Sequence, residues 1–381
     1  MAAFKQGAFW QMHDTLFANQ KQLGRQSYER WAREMGLDTK RFVRDLGSAA
    51  LGDKIARDVH VAKQLGITPV ALAKEIAAAR PLLYAARAKR PTPLRDDKIL
   101  VAWNGLMISA AARAGFAFNE PRYVATARKA AVFILDNMRT DGRLHRVYKQ
   151  GRADGPAFVE DYAFLIAGLL DLYEADPNPR WLREAISLQA VLDRHYSDEA
   201  RGGYFKAADD GEKLIAREKP GNDGAEPSGN SVAALNLLRL SEFTLEESYQ
   251  ERALMLLSAF QNTLQRYPTA LSEMLLAVDF LLDAPFEIVI VTPPAGGSAE
   301  TMLAPLRSAF VPNRTLAVVQ QGDDQAAHAS VMPLVRSKLA QRSKTTAYVC
   351  INRVCSYPTS DPARFAEQIA VVEPLVREPT P

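Results

Sequence analysis

The feature of this 381-residue sequence that most limits its fold is an alternation of two kinds of helix between Asp96 and Asp283. One kind is apolar on nearly all sides and occupies residues 99–116, 162–173, 231–240 and 271–282. The other kind is apolar on one face only and occupies residues 123–138, 181–196 and 249–264. A helix that is apolar all round belongs in an interior, and a one-sided helix covers it. The alternation therefore predicts an inner ring of helices wrapped by an outer ring, an α/α toroid.

Different patterns flank this middle part of the chain. Upstream, Phe9, Met12 and Leu16 are spaced for one buried helical stripe. Downstream, short strand-like runs at residues 286–291, 315–320 and 345–351 are separated by helical stretches at 299–310 and 331–339 and followed by a helix at 361–370. Helices in the connections favour parallel strands. We therefore predict a mainly α chain with a helical segment at 1–68, a partial toroid at 69–285 and a small α/β module at 286–381.

Composition excludes several classes of function. The 47 basic and 44 acidic side chains leave a net charge of +3, and no block of like charges occurs, so neither nucleic acid nor a membrane surface is predicted as a partner. No apolar run reaches the length that crosses a bilayer, and we expect a cytoplasmic location.

The residue types that bind metals are few. Cys350 and Cys355 form no Cys-x-x-Cys pair, and inert reduced thiols are expected. His145, His195 and His328 have no partner at catalytic spacing, so each is expected at the surface or in packing. No metal and no cofactor are predicted.

Candidate functional residues stand at the beginning of each predicted inner helix, because these leading ends point at the central cavity of a toroid. The seven that we select are Asp97, Trp103, Asn104, Asp161, Tyr162, Asp223 and Asn230, and Glu273 lies near the start of the fourth inner helix. Carboxylates at equivalent places in successive hairpins can form the acid and base pair of glycoside chemistry, for which Asp161 and Asp223 are the candidates. Trp103 and Asn104 would offer a sugar ring an aromatic platform and an amide.

Each candidate also has a structural interpretation. Acidic residues in the first turn of a helix are favoured by capping and by the helix dipole alone, which applies to Asp97 and Asp161. Asn104 in an apolar helix needs a hydrogen-bond partner if it is buried, and so does the hydroxyl of Tyr162. If Asp161 acts on a ligand, its replacement by asparagine is expected to abolish binding without unfolding the protein.

Several ordered motifs resemble the C-terminal half of the spermatogenesis-associated protein 20 family, called YyaL in bacteria. They are Arg87–Pro91, Asp96–Leu100, Trp103–Met107, Glu160–Ala163, Asp223 with Pro227–Asn230, Ala284–Ile288 and Cys350–Pro358. The resemblance covers roughly residues 70–375. It implies a toroid of the six-hairpin type shared with glycosidases and N-acylglucosamine 2-epimerases, joined in full-length members to a thioredoxin-like domain.

The chain departs from that family pattern in two ways. It has no thioredoxin-type Cys-x-x-Cys, and its predicted inner and outer helices are too few to close a ring of six hairpins. Residues 1–66 instead resemble the helical part of a DsbA-like domain, as in Phe9–Asp14 and Gly36–Asp38, downstream of where that fold keeps its cysteines. We therefore expect a truncated or recombined gene product that lacks the first part of the toroid.

Two functions follow as alternatives, and a third, thiol–disulfide exchange, requires Cys350 and Cys355 to be exposed and reducible. One is that the protein binds, or acts on, a carbohydrate-like ligand in a central polar cavity. For this function we further expect the fragment alone to be inactive. The other is a non-catalytic interaction module. An arc of helices that ends early leaves apolar inner-helix surface uncovered, and such patches are typical of docking sites for a second copy or a partner chain.

Overall fold

In a computed structural model of this protein, residues 2–19, 22–65, 69–91, 95–212 and 215–370 are described. The chain divides into two compact units between Arg95 and Asp96. The boundary predicted at residues 68 and 69 differs from this division, because the helix that begins at Pro69 is part of the first unit; residue 68 itself lies outside the described residues. Within the described part, no helix is both long and apolar enough to cross a bilayer. The cytoplasmic location stays a prediction.

The first unit is helical, as predicted. Its helices are α1 Phe9–Ala18, α2 Arg25–Glu34, α3 Thr39–Leu46, α4 Ala49–Gln64 and α5 Pro69–Ala88. Met12 of the predicted stripe is buried in a small core with Trp31 and Phe42. The side chain of Asp38 caps α3 by accepting the backbone N–H of Arg41 at 3.0 Å. Among the residues of this unit whose burial is described, the buried ones thus come from α1 to α3 and the segment before them.

The second unit is built on helical hairpins. Its helices up to residue 282 are α6 Val101–Ala117, α7 Pro121–Asn137, α8 Val159–Ala175, α9 Pro179–Tyr196, α10 Gly229–Thr244, α11 Glu247–Ala259, α12 Gln261–Arg266 and α13 Ser272–Leu282. The inner helices α6, α8, α10 and α13 pack against one another in that order, and α7, α9 and α11 each pack on the inner helix that precedes it. This order confirms the mainly α fold with a partial α/α toroid.

The inner helices differ in how completely they are covered. The middle helices α8 and α10 are buried on nearly all sides. The end helices α6 and α13 each keep an exposed apolar face, which includes Met107 on α6 and Leu275 and Leu276 on α13. Residues 99–116 and 271–282, which were predicted to be interior, are therefore interior on part of their surface only. The arc has an apolar face at either end.

A small antiparallel sheet lies next to the beginnings of two inner helices. It consists of β1 Ile99–Leu100, β2 Arg139–Thr140, β3 Arg143–Lys149 and β4 Arg152–Pro156. The other three strands all pair with β3. Since β1 runs directly into α6 and β4 comes shortly before α8, this sheet fixes the positions of both helix N-termini.

A second sheet follows the arc. Its strands are β5 Phe286–Thr292, β6 Arg314–Gln320, β7 Thr346–Ile351 and β8 Val354–Cys355, in the order β6-β5-β7-β8. The strands β5 and β6 are parallel, as predicted, but β7 is antiparallel to β5. The helix predicted at 331–339 is also wrong, because only Pro333–Val335 forms a 3-10 turn there. Proline lacks the N–H that a helix interior needs, so the connection to β7 is not one crossover helix.

Both faces of the second sheet are covered. Alternate residues of β5, such as Val289, belong to the same core as the helical arc. The residues between them, such as Ile288, pack with α14 Glu300–Ser308 and α16 Pro362–Ile369 on the other face. A shorter helix, α15 Asp323–Ala329, lies in the connection after β6. The sheet and the arc therefore share one core and belong to one compact unit.

The expectation of reduced thiols is contradicted by a disulfide between Cys350 and Cys355. Asn352 and Arg353 both adopt positive φ and make a two-residue turn between β7 and β8. This turn places the two cysteines directly opposite each other in the antiparallel pair. Their spacing of five residues matches a hairpin rather than a redox motif, which is why a search for Cys-x-x-Cys overlooks the bond.

Two glutamates meet where the arc joins the sheet. Burial raises the pKa of Glu242 on α10 from 4.5 to about 7, and the negative charge of Glu287 on β5 contributes to the same rise. Folding thus favours the protonated form, so this group's contribution to stability is full below about pH 4.5 and is lost as the pH rises through 7.

Replacement of Glu242 by glutamine is expected to raise the free energy of unfolding at pH 8 by about 1–2 kcal/mol, with little change at pH 4.5. Urea unfolding at the two pH values measures the difference. Glu251→Gln on the exposed side of α11 is the control, with an expected effect below about 0.5 kcal/mol. A rise in the free energy of unfolding that is equal at both pH values contradicts this account.

Candidate functional site

Side-chain hydrogen bonds connect the first turns of neighbouring inner helices. Asp161 lies in the first turn of α8, and its Oδ2 accepts the backbone N–H of Phe158 at 2.8 Å. Its Oδ1 accepts the backbone N–H of Ala102 at 3.0 Å, which joins α8 to the first turn of α6. Arg146 of β3 donates to Oδ2 at 3.2 Å. The carboxylate of Asp161 is fully buried and holds two helix ends in place.

The charge of Asp161 is disfavoured by its surroundings. Burial raises the pKa of Asp161 to about 6, although the N–H of Phe158 and the charge of Arg146 lower it. The carboxylate is therefore ionised at pH 7.5 and protonated near pH 5. The sequence-based interpretation as a cap fits the contact with Phe158, and the bond to α6 adds a connection that the sequence did not predict. A catalytic carboxylate, by contrast, needs access to a ligand.

Asp223 joins the next two inner helices. It lies in the loop before α10, where its Oδ1 accepts the backbone N–H of Ser228 at 2.8 Å. Its Oδ2 accepts the backbone N–H of Glu273, in the first turn of α13, at 2.9 Å. Asp223 is only partly buried. It is thus a structural link that also keeps some access to solvent.

Two further candidates lie in the interior. The hydroxyl of Tyr162 accepts the backbone N–H of Leu144 at 3.0 Å, and its ring is fully buried against Tyr196. The side chain of Asn230 accepts from the backbone of Tyr204 at 2.7 Å and donates to the carbonyls of Tyr204 and Pro220. The polar atoms of both residues are thus hydrogen-bonded within the fold, which fits the structural interpretation of Tyr162. Their assignment as cavity residues stays a prediction.

The remaining candidates lie at or near the surface. Asp97 has a side chain that is 46% exposed and that lies 3.6 Å from the ammonium of Lys149. Asn104 is half-buried and donates to the carbonyl of Leu100, one turn earlier, at 2.8 Å. Trp103 is 63% exposed, and its indole Nε1 donates to Oε2 of Glu226 at 3.0 Å. Glu226 and Asp223 lie in the same loop before α10. Of the seven predicted residues, Trp103 and Asp223 are thus connected through this loop.

Two participants at this place, Glu226 and Glu273, are not among the seven selected residues. Glu226 directly precedes the motif Pro227–Asn230, but its bond to Trp103 spans 123 positions and gives no local signal. Burial raises the pKa of Glu273, and the charge of Asp223 adds to the rise, while Arg113 lowers it. We use the name Trp103 surface for Trp103, Asn104, Asp223, Glu226 and Glu273.

A histidine with carboxylate partners lies elsewhere in the unit. Nδ1 of His195 lies 3.1 Å from Asp209 and 3.5 Å from Asp210, the spacing of a metal-binding group. Arg143, however, contacts both oxygens of Asp210 at 2.8 and 3.0 Å, and this bond lowers the pKa of Asp210. His195 therefore has partners that sequence spacing did not predict, and the guanidinium already supplies the positive charge there.

Comparison with known proteins gives one group of clear relatives. The chain is 37% identical over 294 residues to human spermatogenesis-associated protein 20, covering 74% of this chain and 37% of that protein. It is 31% identical over 313 residues to an uncharacterized protein of Caenorhabditis elegans, covering 80% and 42% of the two chains. The chain thus spans less than half of the length of the curated relatives it matches. No family model matches it.

Solved structures offer a weaker likeness. The GH76 alpha-mannanase of Bacteroides thetaiotaomicron is 15% identical, with a TM-score of 0.38 over 45% of this chain and 47% of that one. A TM-score at this level carries no weight for fold or function. The fold assignment therefore rests on the helix order and packing described above.

Proposed function

The chain belongs to the spermatogenesis-associated protein 20 family, of whose curated members it spans only part, and from this premise we propose that the Trp103 surface binds a neutral carbohydrate-like ligand. In this proposal a sugar ring stacks on the indole of Trp103, and neighbouring carboxylates accept its hydroxyl groups. The proposal concerns this chain's own residues, and any activity of longer family members is a separate matter.

The observation that carries the proposal is the state of Trp103. Its indole is 63% exposed, yet its Nε1 donates to Glu226 at 3.0 Å. A large aromatic ring that is held in one orientation while exposed is a preorganised platform, because a ligand that stacks on it pays little ordering entropy. Asn104, one residue on, lies half-buried beside it.

The charges around the indole indicate the class of ligand. Glu226 is bonded to Trp103, and Asp223 links the same loop to the first turn of α13 at Glu273. Carboxylates accept hydrogen bonds from hydroxyl groups but repel phosphate and uronate groups. A neutral sugar therefore fits these residues better than a sugar phosphate does.

The same residues bear on catalysis. Asp223 and Glu273 lie at the beginnings of neighbouring inner-helix segments, and the negative charge of Asp223 contributes to the raised pKa of Glu273. A carboxyl group whose pKa is raised by burial and by a neighbouring carboxylate is suited to donate a proton. We therefore favour Glu273 as the general acid beside Asp223, and Asp161 takes no part because its carboxylate is buried.

Calorimetric titration with neutral oligosaccharides and with their phosphorylated counterparts tests the proposal. Trp103→Ala is expected to weaken binding of the neutral sugar about tenfold, the loss of one stacking contact. Trp10→Ala is the matched control, because Trp10 is 69% exposed in the first unit and is expected to leave the affinity unchanged. Equal binding by wild type and Trp103→Ala, or preference for the phosphorylated sugar, contradicts the proposal.

A second candidate function uses the exposed apolar faces at the two ends of the arc. The exposed apolar side chains of Met107 on α6 and of Leu276 and Leu282 on α13 are a feature of docking surfaces. In this alternative, a second copy or a partner chain covers α6 and with it Trp103. An obligate dimer that protects Trp103 from solvent favours docking, and a monodisperse monomer favours the ligand.

A further inference from the structure

The disulfide between Cys350 and Cys355 is asymmetric in its access to solvent. Cys350 is fully buried in β7, which pairs with β5 in the middle of the second sheet. Cys355 is exposed in β8, the edge strand of the same sheet. An external thiol can therefore reach the sulfur of Cys355 but not that of Cys350.

A buried lysine lies against both sulfurs. Nζ of Lys338 is 2.9 Å from Sγ of Cys355 and 3.7 Å from Sγ of Cys350. The side chain of Gln325 fixes the backbone of this lysine by donating to its carbonyl at 2.6 Å. Lys338 is 9% exposed, so its ammonium has little contact with water.

This arrangement suits the reduced state better than the oxidised one. A disulfide sulfur is a weak acceptor, and a buried ammonium without a good acceptor is costly. A thiolate at the same place is a full negative charge, and a neighbouring lysine lowers the pKa of a cysteine thiol. Reduction would therefore give Lys338 the partner that the disulfide does not provide.

Other charged groups face the same place. Glu287 of β5 is fully buried, and its Oε1 accepts the backbone N–H of Arg353 at 3.0 Å. Burial lowers the pKa of Lys338, and the negative charge of Glu287 partly restores it. Glu242, on α10, lies beside Glu287, and the ring of Tyr348 lies 5.1 Å from Nζ of Lys338. A purely structural crosslink would need neither the buried carboxyl group of Glu287 nor the buried ammonium of Lys338 beside it.

We propose that Cys350 and Cys355 form a thiol–disulfide exchange site in which Lys338 stabilises the thiolate of the reduced pair. The co-reactant is a dithiol or a small thiol. Its thiolate attacks Sγ of Cys355, a new disulfide forms with that sulfur, and the bond to Cys350 breaks with the electron pair leaving on Cys350. The second thiol of the dithiol, or a second molecule of the small thiol, then attacks the co-reactant's sulfur in this mixed disulfide and releases Cys355 as a thiolate. The dithiol, or the pair of small thiols, is thus oxidised to a disulfide by two electrons, and the cysteine pair is reduced by two.

The proposal is independent of the Trp103 surface, and its test needs no carbohydrate. The whole chain is equilibrated in a glutathione redox buffer at pH 7, quenched with acid and alkylated, and the free thiols are counted by mass spectrometry. Lys338→Met is expected to lower the equilibrium constant for reduction at least tenfold relative to wild type. Lys344→Met is the control and is expected to equal wild type, because Lys344 is exposed in the same connection.

A second measurement uses wild type alone and so does not depend on how well the variant folds. The rate at which iodoacetamide alkylates Cys355 in the reduced protein is followed against pH. We expect a midpoint at least one pH unit below the ordinary thiol pKa of about 8.5. A midpoint at or above that value overturns the proposal, as does a disulfide that glutathione reduces only after the protein unfolds, or a Lys338→Met variant that folds and equilibrates as wild type does.

Discussion

Replacing Gly105 by alanine is expected to destabilise the second unit by about 3 kcal/mol. A Cβ atom at this position of α6 would lie 2.6 Å from the backbone nitrogen of Leu165 and 2.6 Å from the carbonyl carbon of Phe164. Both atoms belong to the backbone of α8, which cannot move aside because it is buried on nearly all sides. The facing Gly168 is equally close, since its Cβ would lie 2.7 Å from the carbonyl oxygen of Gly105.

Native-state hydrogen exchange read by mass spectrometry measures this effect, because peptides from α6 and α8 report on the second unit separately from the first. Gly52→Ala in α4 is the matched control. No atom lies within 4 Å of where its Cβ would be, so there alanine is expected to stabilise the first unit by up to about 1 kcal/mol through its helix propensity. Unchanged protection of α6 and α8 in Gly105→Ala would mean that these two helices do not cross as closely as described.

Replacing Asp161 by alanine is expected to cost about 3–4 kcal/mol at pH 7.5. The substitution leaves the backbone N–H groups of Ala102 and Phe158 without their acceptor, and an orphaned buried donor costs about 1–3 kcal/mol. It also removes a carboxylate that contacts Arg146. Asp161→Asn is expected to lie between alanine and wild type, because the amide oxygen replaces only one of the two acceptors.

Urea unfolding of the second unit measures this loss. Asp97→Ala is the control, since the carboxylate of Asp97 is 46% exposed and its ion pair with Lys149 is expected to contribute less than about 1 kcal/mol. If Asp161→Asn instead has the free energy of unfolding of wild type but loses ligand binding, Asp161 is a functional carboxylate and not a structural connection between α6 and α8.

The periodicity of the sequence predicts the arc because burial follows local spacing along a helix. It does not predict which side of α6 or α13 stays exposed, since that depends on which helices follow at the ends of the arc. The periodicity also does not predict the direction of β7, because the helical structure in residues 331–339 is a single 3-10 turn at Pro333–Val335.

The candidate site was predictable only in part, because a local sequence pattern does not show which distant residue a side chain contacts. An acid in the first turn of a helix has the same sequence pattern whether it caps the helix or meets a ligand. For Asp161, the structural interpretation depends on a bond to the N–H of Ala102, 59 positions away, which no local pattern indicates. The bond from Trp103 to Glu226 is likewise long-range. Trp103 was selected from its place in an inner helix, and Glu226 was not.

The most direct test of the proposed function is the indole N–H signal of Trp103 in a two-dimensional proton–nitrogen spectrum. Addition of a neutral oligosaccharide is expected to shift this signal progressively, because Nε1 and its partner Glu226 lie at the proposed contact. The signal of Trp10 is expected to stay in place. A Trp103 signal that does not move at millimolar sugar, while the protein remains folded, would contradict the assignment of a carbohydrate-like ligand to this surface.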